Sequence, residues 1–175
     1  MKSSVLALCA VTLAACSFSS PDNVQAPVAT GLVVTDATRY DAHLVTGGKE
    51  RVVFEVPFEI RNATGGPLYR IGCASAPPPT LEKRVGEEWV TAFAPVVNRC
   101  LSPPFEIAPG AVVRETLQVA GYLPGQGAAP EYRTEVEGTY RLNVLLYSSL
   151  TDEPFPLGND LAPFEERVSN TFEVE

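Results

Sequence analysis

Between Arg51 and Asn62 the chain alternates apolar and mostly polar positions with a period of two. Val52, Phe54, Val56, Phe58 and Ile60 fall on one side, and Val53, Glu55, Pro57, Glu59 and Arg61 on the other. One apolar face and one polar face predict a half-buried antiparallel strand. Pro57 has no backbone donor to give, which favours a position where that donor would face solvent, such as an edge or a bulge. The same period returns from Val112 to Val119, where Val113, Leu117 and Val119 oppose Arg114, Thr116 and Gln118. Glu115 stands on the apolar side of that strand, a misfit the sequence does not explain. A third strong strand opens at Gly138, with Tyr140, Leu142, Val144 and Leu146 pointing inward, and Phe172 and Val174 share one face of a final strand over Ser169 to Val174.

Shorter segments fill the intervals. Leu32 to Val34 and Tyr40 to Val45 are candidate strands, the second ending at the turn Thr46-Gly47-Gly48. Leu68 to Ile71 leads into Cys73, and Leu81 to Val85 with Trp89 to Phe93 form a hairpin around Gly86-Glu87-Glu88. Asn62 to Pro67 is a turn, and Ala76-Pro77-Pro78-Pro79 is a stiff extended loop. Pro103-Pro104 begins a connector ending at Pro109-Gly110, while Tyr122 to Glu137 and Asp152 to Pro163 are longer, strandless stretches. No internal repeat appears, and no helical stripe exceeds two turns. Eight or nine short strands separated by turn signals predict an all-β fold, an antiparallel β-sandwich of about eight strands, with its two sheets about 10 Å apart. Sixteen prolines and thirteen glycines spread along the chain agree with many turns and no long helix.

The first thirty residues follow a different pattern. Lys2 precedes an apolar run from Val5 to Leu13, which leads to Leu13-Ala14-Ala15-Cys16. A basic start, a brief apolar core and small residues before a cleavage point make a secretory signal peptide. The run falls well short of the roughly 20 residues that cross a bilayer. The tetrapeptide resembles the lipobox of bacterial lipoproteins. That resemblance implies acylation of the Cys16 thiol, removal of residues 1–15, and anchoring by two or three acyl chains. Each buried methylene contributes about 0.8 kcal/mol. Ser17 in place of aspartate implies, by the enteric sorting rule, the outer membrane. Residues 16–29 are then a polar, proline-broken tether spanning on the order of 20 Å, and residues 30–175 the folded domain.

Charge and cysteine usage narrow the function. Loss of Lys2 takes the formal charge from −8 to −9, 21 acidic residues against 12 basic. An acidic domain repels phosphate backbones, so nucleic acid is excluded as a partner. With Cys16 acylated and Cys9 removed, Cys73 and Cys100 remain, and in an oxidising compartment they are most simply a disulfide. Closing that loop would add roughly 3.5 kcal/mol on the chain-entropy model. A metal site would need more ligands, and a redox pair would favour Cys-x-x-Cys spacing. His43 is the single histidine and no nucleophile elbow accompanies it, while Glu87-Glu88 and Glu165-Glu166 adjoin turns as solvated surface. No metal, cofactor or catalysis is expected. Trp89 is either core packing beside the disulfide or a ligand platform. The prolines just beyond the cysteines, Pro77, Pro78 and Pro79 on one loop and Pro103 and Pro104 on another, are the candidate recognition surface.

Several pieces in order resemble bacterial immunoglobulin-like domains of secreted and lipid-anchored proteins. They are Phe58-Glu59-Ile60-Arg61-Asn62 before a turn, Leu81-Glu82-Lys83 ahead of Gly86-Glu87-Glu88-Trp89-Val90, and Ile107-Ala108-Pro109-Gly110. Gly138-Thr139-Tyr140-Arg141-Leu142 and the terminal Ser169-Asn170-Thr171-Phe172-Glu173-Val174 complete the series. The resemblance implies an immunoglobulin-like sandwich in which Tyr140 buries its ring and bonds a nearby backbone group, as a tyrosine corner does. A weaker similarity links the layout to small bacterial β-sandwich proteinase inhibitors, without their reactive-loop signature. The expectation is a non-enzymatic, membrane-anchored envelope lipoprotein whose domain meets a protein partner or supports structure. The alternative is a periplasmic inhibitor-like or ligand-binding module acting through the proline loops.

Overall fold

The long alternating segment Arg51–Arg61 becomes the middle strand of a sheet, with Val52, Phe54, Val56, Phe58 and Ile60 all buried in the computed structural model. The described residues are 31–72, 76–97, 102–152 and 157–175; Cys16 with its tether, and both Cys73 and Cys100, lie outside them. In chain order the strands are β1 (Val33–Thr35), β2 (Arg39–Tyr40), β3 (His43–Val45), β4 (Arg51–Arg61), β5 (Leu68–Arg70) and β6 (Thr80–Val85). They continue with β7 (Glu88–Phe93), β8 (Phe105–Ile107), β9 (Val112–Tyr122), β10 (Gly138–Asn143) and β11 (Phe172–Val174). One short helix, α1 (Phe164–Arg167), precedes β11.

The first sheet is built on β4. Strand β9 pairs with it antiparallel along its whole length, from Arg51 opposite Tyr122 to Arg61 opposite Val112. The other side of β4 is shared by β1, which pairs at Phe58–Ile60, and β3, which pairs at Arg51–Val53. Pro57 lies where β1 ends. Its carbonyl accepts a bond from the Asp36 amide at 3.1 Å, so its donorless nitrogen, on the same side of the strand, faces the interval between β1 and β3. The expectation of an edge or bulge does not hold: the proline sits in a central strand without a register shift, tolerated at an interruption between its neighbours.

The second sheet runs β2-β11-β10-β6-β7. All its pairings are antiparallel except β11 with β2, which are parallel. The segment Tyr40 to Val45, expected as one strand, therefore splits: β2 joins the second sheet and β3 the first. Apolar alternation reports which face is buried, not which sheet supplies the hydrogen bonds. A separate two-stranded ribbon pairs β5 with β8 through Leu68–Ile107, Tyr69–Glu106 and Arg70–Phe105. Tyr69 and Tyr147 exchange backbone bonds of 2.8 and 2.9 Å on the ribbon's other side.

A single cluster of buried apolar side chains joins the three pieces. Val56, Phe58 and Leu117 come from the first sheet, Leu81, Tyr140 and Phe172 from the second, and Leu68 and Ile107 from the ribbon. The architecture is all-β and sandwich-like. Tyr140 is fully buried and its hydroxyl donates to the Val136 carbonyl four residues upstream. Burial raises the hydroxyl's pKa, so it stays a donor. Its ring lies 6.2 Å from that of Phe172, nearly parallel to it. Helix α1 was not expected, because four residues are too few to leave a periodic stripe.

Tyr140→Phe removes one donor and leaves buried carbonyl oxygen behind, so urea unfolding should show a loss of about 1–2 kcal/mol. An unchanged midpoint would mean that the hydroxyl bond contributes nothing to the strand's entry.

Candidate functional site

Glu115 shares its face of β9 with Leu117 and Val119, where a carboxylate without a partner is costly. Arg70, the last residue of β5, supplies the partner. Leu68 and Arg70 both point inward from the ribbon, and the Arg70 side chain is 0% exposed against 27% for Glu115. The Arg70 Nη1 donates to Glu115 Oε1, and its Nη2 donates to the Pro77 carbonyl. One guanidinium thus ties the ribbon, the edge of the first sheet and the proline loop together. Its Nε is buried with no hydrogen-bond partner among the described residues. The ionic contact is charge-assisted and desolvated on one side, so its loss should be felt far more than that of an exposed pair.

Next to this pair lies an open groove of about 660 Å³. One wall is Pro78, Pro79, Pro95 and Phe105, and the other is Glu115, Thr116 and Gln118 of β9. Phe105 is 45% exposed at the start of β8. A smaller depression of about 330 Å³ continues along β9 past Asp36, Glu59 and Arg114, and shares Glu115 and Thr116 with the groove. There Glu59 accepts bonds from Arg61 Nε at 2.9 Å and Arg114 Nε at 2.7 Å. The Arg61 bond, reinforced by Arg114, holds the Glu59 carboxyl below its usual range.

The wall formed by β9 is also a sheet edge. Asn62 donates from its amide to the Ala111 carbonyl, so residues of that parity, Val113, Glu115 and Leu117, turn their backbone groups toward β4. Tyr122 instead donates to Pro130 and accepts from Tyr132, on the side away from β4. Arg114, Thr116, Gln118 and Ala120 share the parity of Tyr122. Their amides and carbonyls face away from β4, and no strand among the described residues pairs with them.

The sequence-predicted residues divide accordingly. Pro78 and Pro79 line the groove, and Pro77 takes part through its carbonyl. Pro103 and Pro104 are not among the described lining residues; they lead into Phe105, which is. Cys73 and Cys100 lie outside the described residues. Phe105 and Pro95 carried no sequence signal of their own, whereas Glu115 did, as the one carboxylate out of pattern on an apolar face. Trp89 is neither core nor open platform: it lies on the outer face of the second sheet, 4.3 Å from the Arg141 guanidinium. Phe164 approaches the same guanidinium at 5.0 Å, and Arg141 Nε donates to Glu82 at 2.7 Å. His43 is exposed on β3, and Glu87, Glu88 and Glu165 are exposed near turns. Among the described residues no cluster of acidic, histidine or cysteine side chains could hold a metal, and no helix is long and apolar enough to cross a membrane. No family model and no curated protein matches the chain.

Replacing Glu115 by Gln should cost about 3 kcal/mol in chemical denaturation, because it strands a buried cation. In a double-mutant cycle of Arg70→Met and Glu115→Leu, the double variant should lose less than the two single variants summed, with a coupling of at least about 2 kcal/mol. Additive single effects would show that the two side chains do not act as a pair.

Proposed function

We propose that this protein is a non-enzymatic envelope lipoprotein, anchored through acylated Cys16, whose immunoglobulin-like domain binds a protein partner at the groove between the proline loop and β9. The observation that carries the reading is the convergence of Pro78, Pro79 and the exposed Phe105 on a sheet edge that no described strand pairs, fixed by the buried Arg70–Glu115 pair. The groove unites the two sequence expectations, a protein-interaction domain and a module acting through the proline loops. A stiff wall loses little conformational entropy on binding, and an exposed aromatic side chain beside it is a typical anchor. The Tyr140 hydroxyl bond and the two-sheet architecture support the immunoglobulin-like assignment. A Cys73–Cys100 disulfide would tether the two chain segments that lead into the groove's proline wall and into Phe105. The outer membrane is the proposed address, from Ser17, with the tether giving the domain its reach.

Two measurements test this. Cys16→Ser should move the protein from the membrane fraction to the soluble fraction of fractionated cells; retention in the membrane would refute acyl anchoring. A photocrosslinker at Phe105 should capture a discrete protein adduct in cells, while one at exposed Leu44 on β3 should not. Equal capture at both positions, or none at Phe105, would refute the groove as the binding surface.

A further inference from the structure

We infer that the exposed apolar face around α1 rests on the zwitterionic surface of the bilayer that holds the acyl anchor, so that the domain docks beside its own tether. This goes beyond the groove and rests on the acylation of Cys16 proposed above. Three observations carry it. The first is the patch itself. Leu161 and Phe164 are 47% and 45% exposed, and Pro163 between them is exposed too. Leu145, 40% exposed, lies on the same face. Burial alternates from Tyr140 to Tyr147, so Leu145 points outward with Arg141 and Tyr147. Leu161 pairs with Tyr147, and Phe164 reaches Arg141. Apolar residues exposed singly need no explanation, but a contiguous group marks a surface with an occupant.

The second is where the chain enters the domain. Gly31 packs so closely on α1 that a Cβ there would stand 2.6 Å from the Glu165 carbonyl oxygen. The Leu32 amide donates to the Glu166 carbonyl at 3.3 Å. The patch therefore adjoins the point from which the tether leads to Cys16. Fourteen residues, 17–30, lie between Cys16 and Gly31, and a flexible chain of that length spans on the order of 20 Å. Anchoring at Cys16 turns contact between this face and lipid into an intramolecular event at high local concentration. A patch too small to hold a vesicle by itself suffices under that condition. Exposed Leu44 and Val45 sit at the other end of β4, roughly 30 Å along the strand from the entry point.

The third is the chemistry around Phe164. The guanidinium groups of Arg141 and Arg167 lie 5.0 and 5.5 Å from its ring. Arg141 pairs with Glu82, whereas Arg167 bonds the Ala162 carbonyl and Asn143 Oδ1 and has no carboxylate partner among the described residues. An apolar ring flanked by cations fits the level where acyl chains meet phosphates. Glu165 and Glu166 also lie on α1, and with the acidic chain as a whole they repel anionic headgroups. A zwitterionic surface offers phosphate to Arg167 without that repulsion.

Trp89, the single tryptophan, reports on this face because the Arg141 guanidinium meets both its ring and that of Phe164. The test places the mature acylated chain in phosphatidylcholine vesicles brominated high on their acyl chains. Bromine should quench Trp89 fluorescence about twofold or more, and Leu161→Ser with Phe164→Ser should remove most of that quenching. Leu44→Ser with Val45→Ser should leave it unchanged. If the Leu161/Phe164 variant does not fold, the unaltered protein carries the test: aqueous acrylamide should quench Trp89 about twofold less on vesicles than in Cys16→Ser protein mixed with the same vesicles. Vesicle-bound protein whose Trp89 bromine does not quench overturns the inference and leaves acyl anchoring standing, as does full quenching in the Leu161/Phe164 variant. Quenching that requires anionic phosphatidylglycerol overturns the zwitterionic surface. Shielding of Trp89 that rises with concentration in vesicle-free Cys16→Ser protein would assign the patch to a second copy and overturn the inference too. An unaltered chain that does not float with vesicles at all removes both the anchor and the docking.

Discussion

A guanidinium that is fully removed from water must be held by charge and by hydrogen bonds, and in this domain Arg70 sets that requirement. Its two partners lie outside its own ribbon and share no sheet: Glu115 on the apolar face of β9, and the loop carbonyl of Pro77. A hydrophobic contact at the same spot would tolerate sliding, because burial is non-directional. The forked donors of arginine do not, since each bond fixes a direction as well as a distance. The consequence is positional. The proline loop and the start of β8 are set at a defined place beside β9, and the groove between them is the space that this arrangement leaves.

The two long strands of the first sheet meet that site with unequal commitments. Strand β4 is bonded on both sides and supplies five buried apolar side chains, so it anchors the core. Strand β9 spends one side on β4 and keeps the other. Its inward face follows the same division: Leu117 and Val119 join the core, while Glu115 turns to Arg70 and reaches the groove. The Trp89–Arg141–Phe164 stack on the outer face of the second sheet shows another way to use a cation, covering aromatic surface that would otherwise be bare. Both devices place an arginine against groups that hydrophobic patterning alone would leave exposed or unpaired.

Much of the core was legible in the sequence, and the reason is the period of two. It marked Val52 through Ile60, Leu117 and Val119, and Tyr140 and Leu142 as inward, because burial of one sheet face leaves that signature directly. Connectivity was less legible. Tyr40 to Val45 reads as one candidate strand yet serves two sheets, since the choice of hydrogen-bonding neighbour is made by distant residues such as Glu173 and Val53. The groove was half legible. Pro78 and Pro79 announced a rigid loop and Glu115 announced a misfit, but Arg70 looked like an ordinary strand-end cation 45 residues away. Nothing local to Phe105 distinguished it from a core residue, because its exposure depends on where the ribbon lies. Trp89 was weighed against a disulfide, and its position was decided instead by the bulge-shifted pairing of β6 with β7 and by Arg141 across the sheet.

Residue-resolved amide hydrogen exchange on the unliganded protein separates the bonded side of β9 from the open side next to the groove. Protection should alternate along the strand: amides of Val113, Glu115, Leu117 and Val119, which face β4, exchange slowly, while those of Arg114, Thr116 and Gln118 exchange orders of magnitude faster. Uniform protection across Val113 to Val119 would contradict this, because the edge would then already be covered.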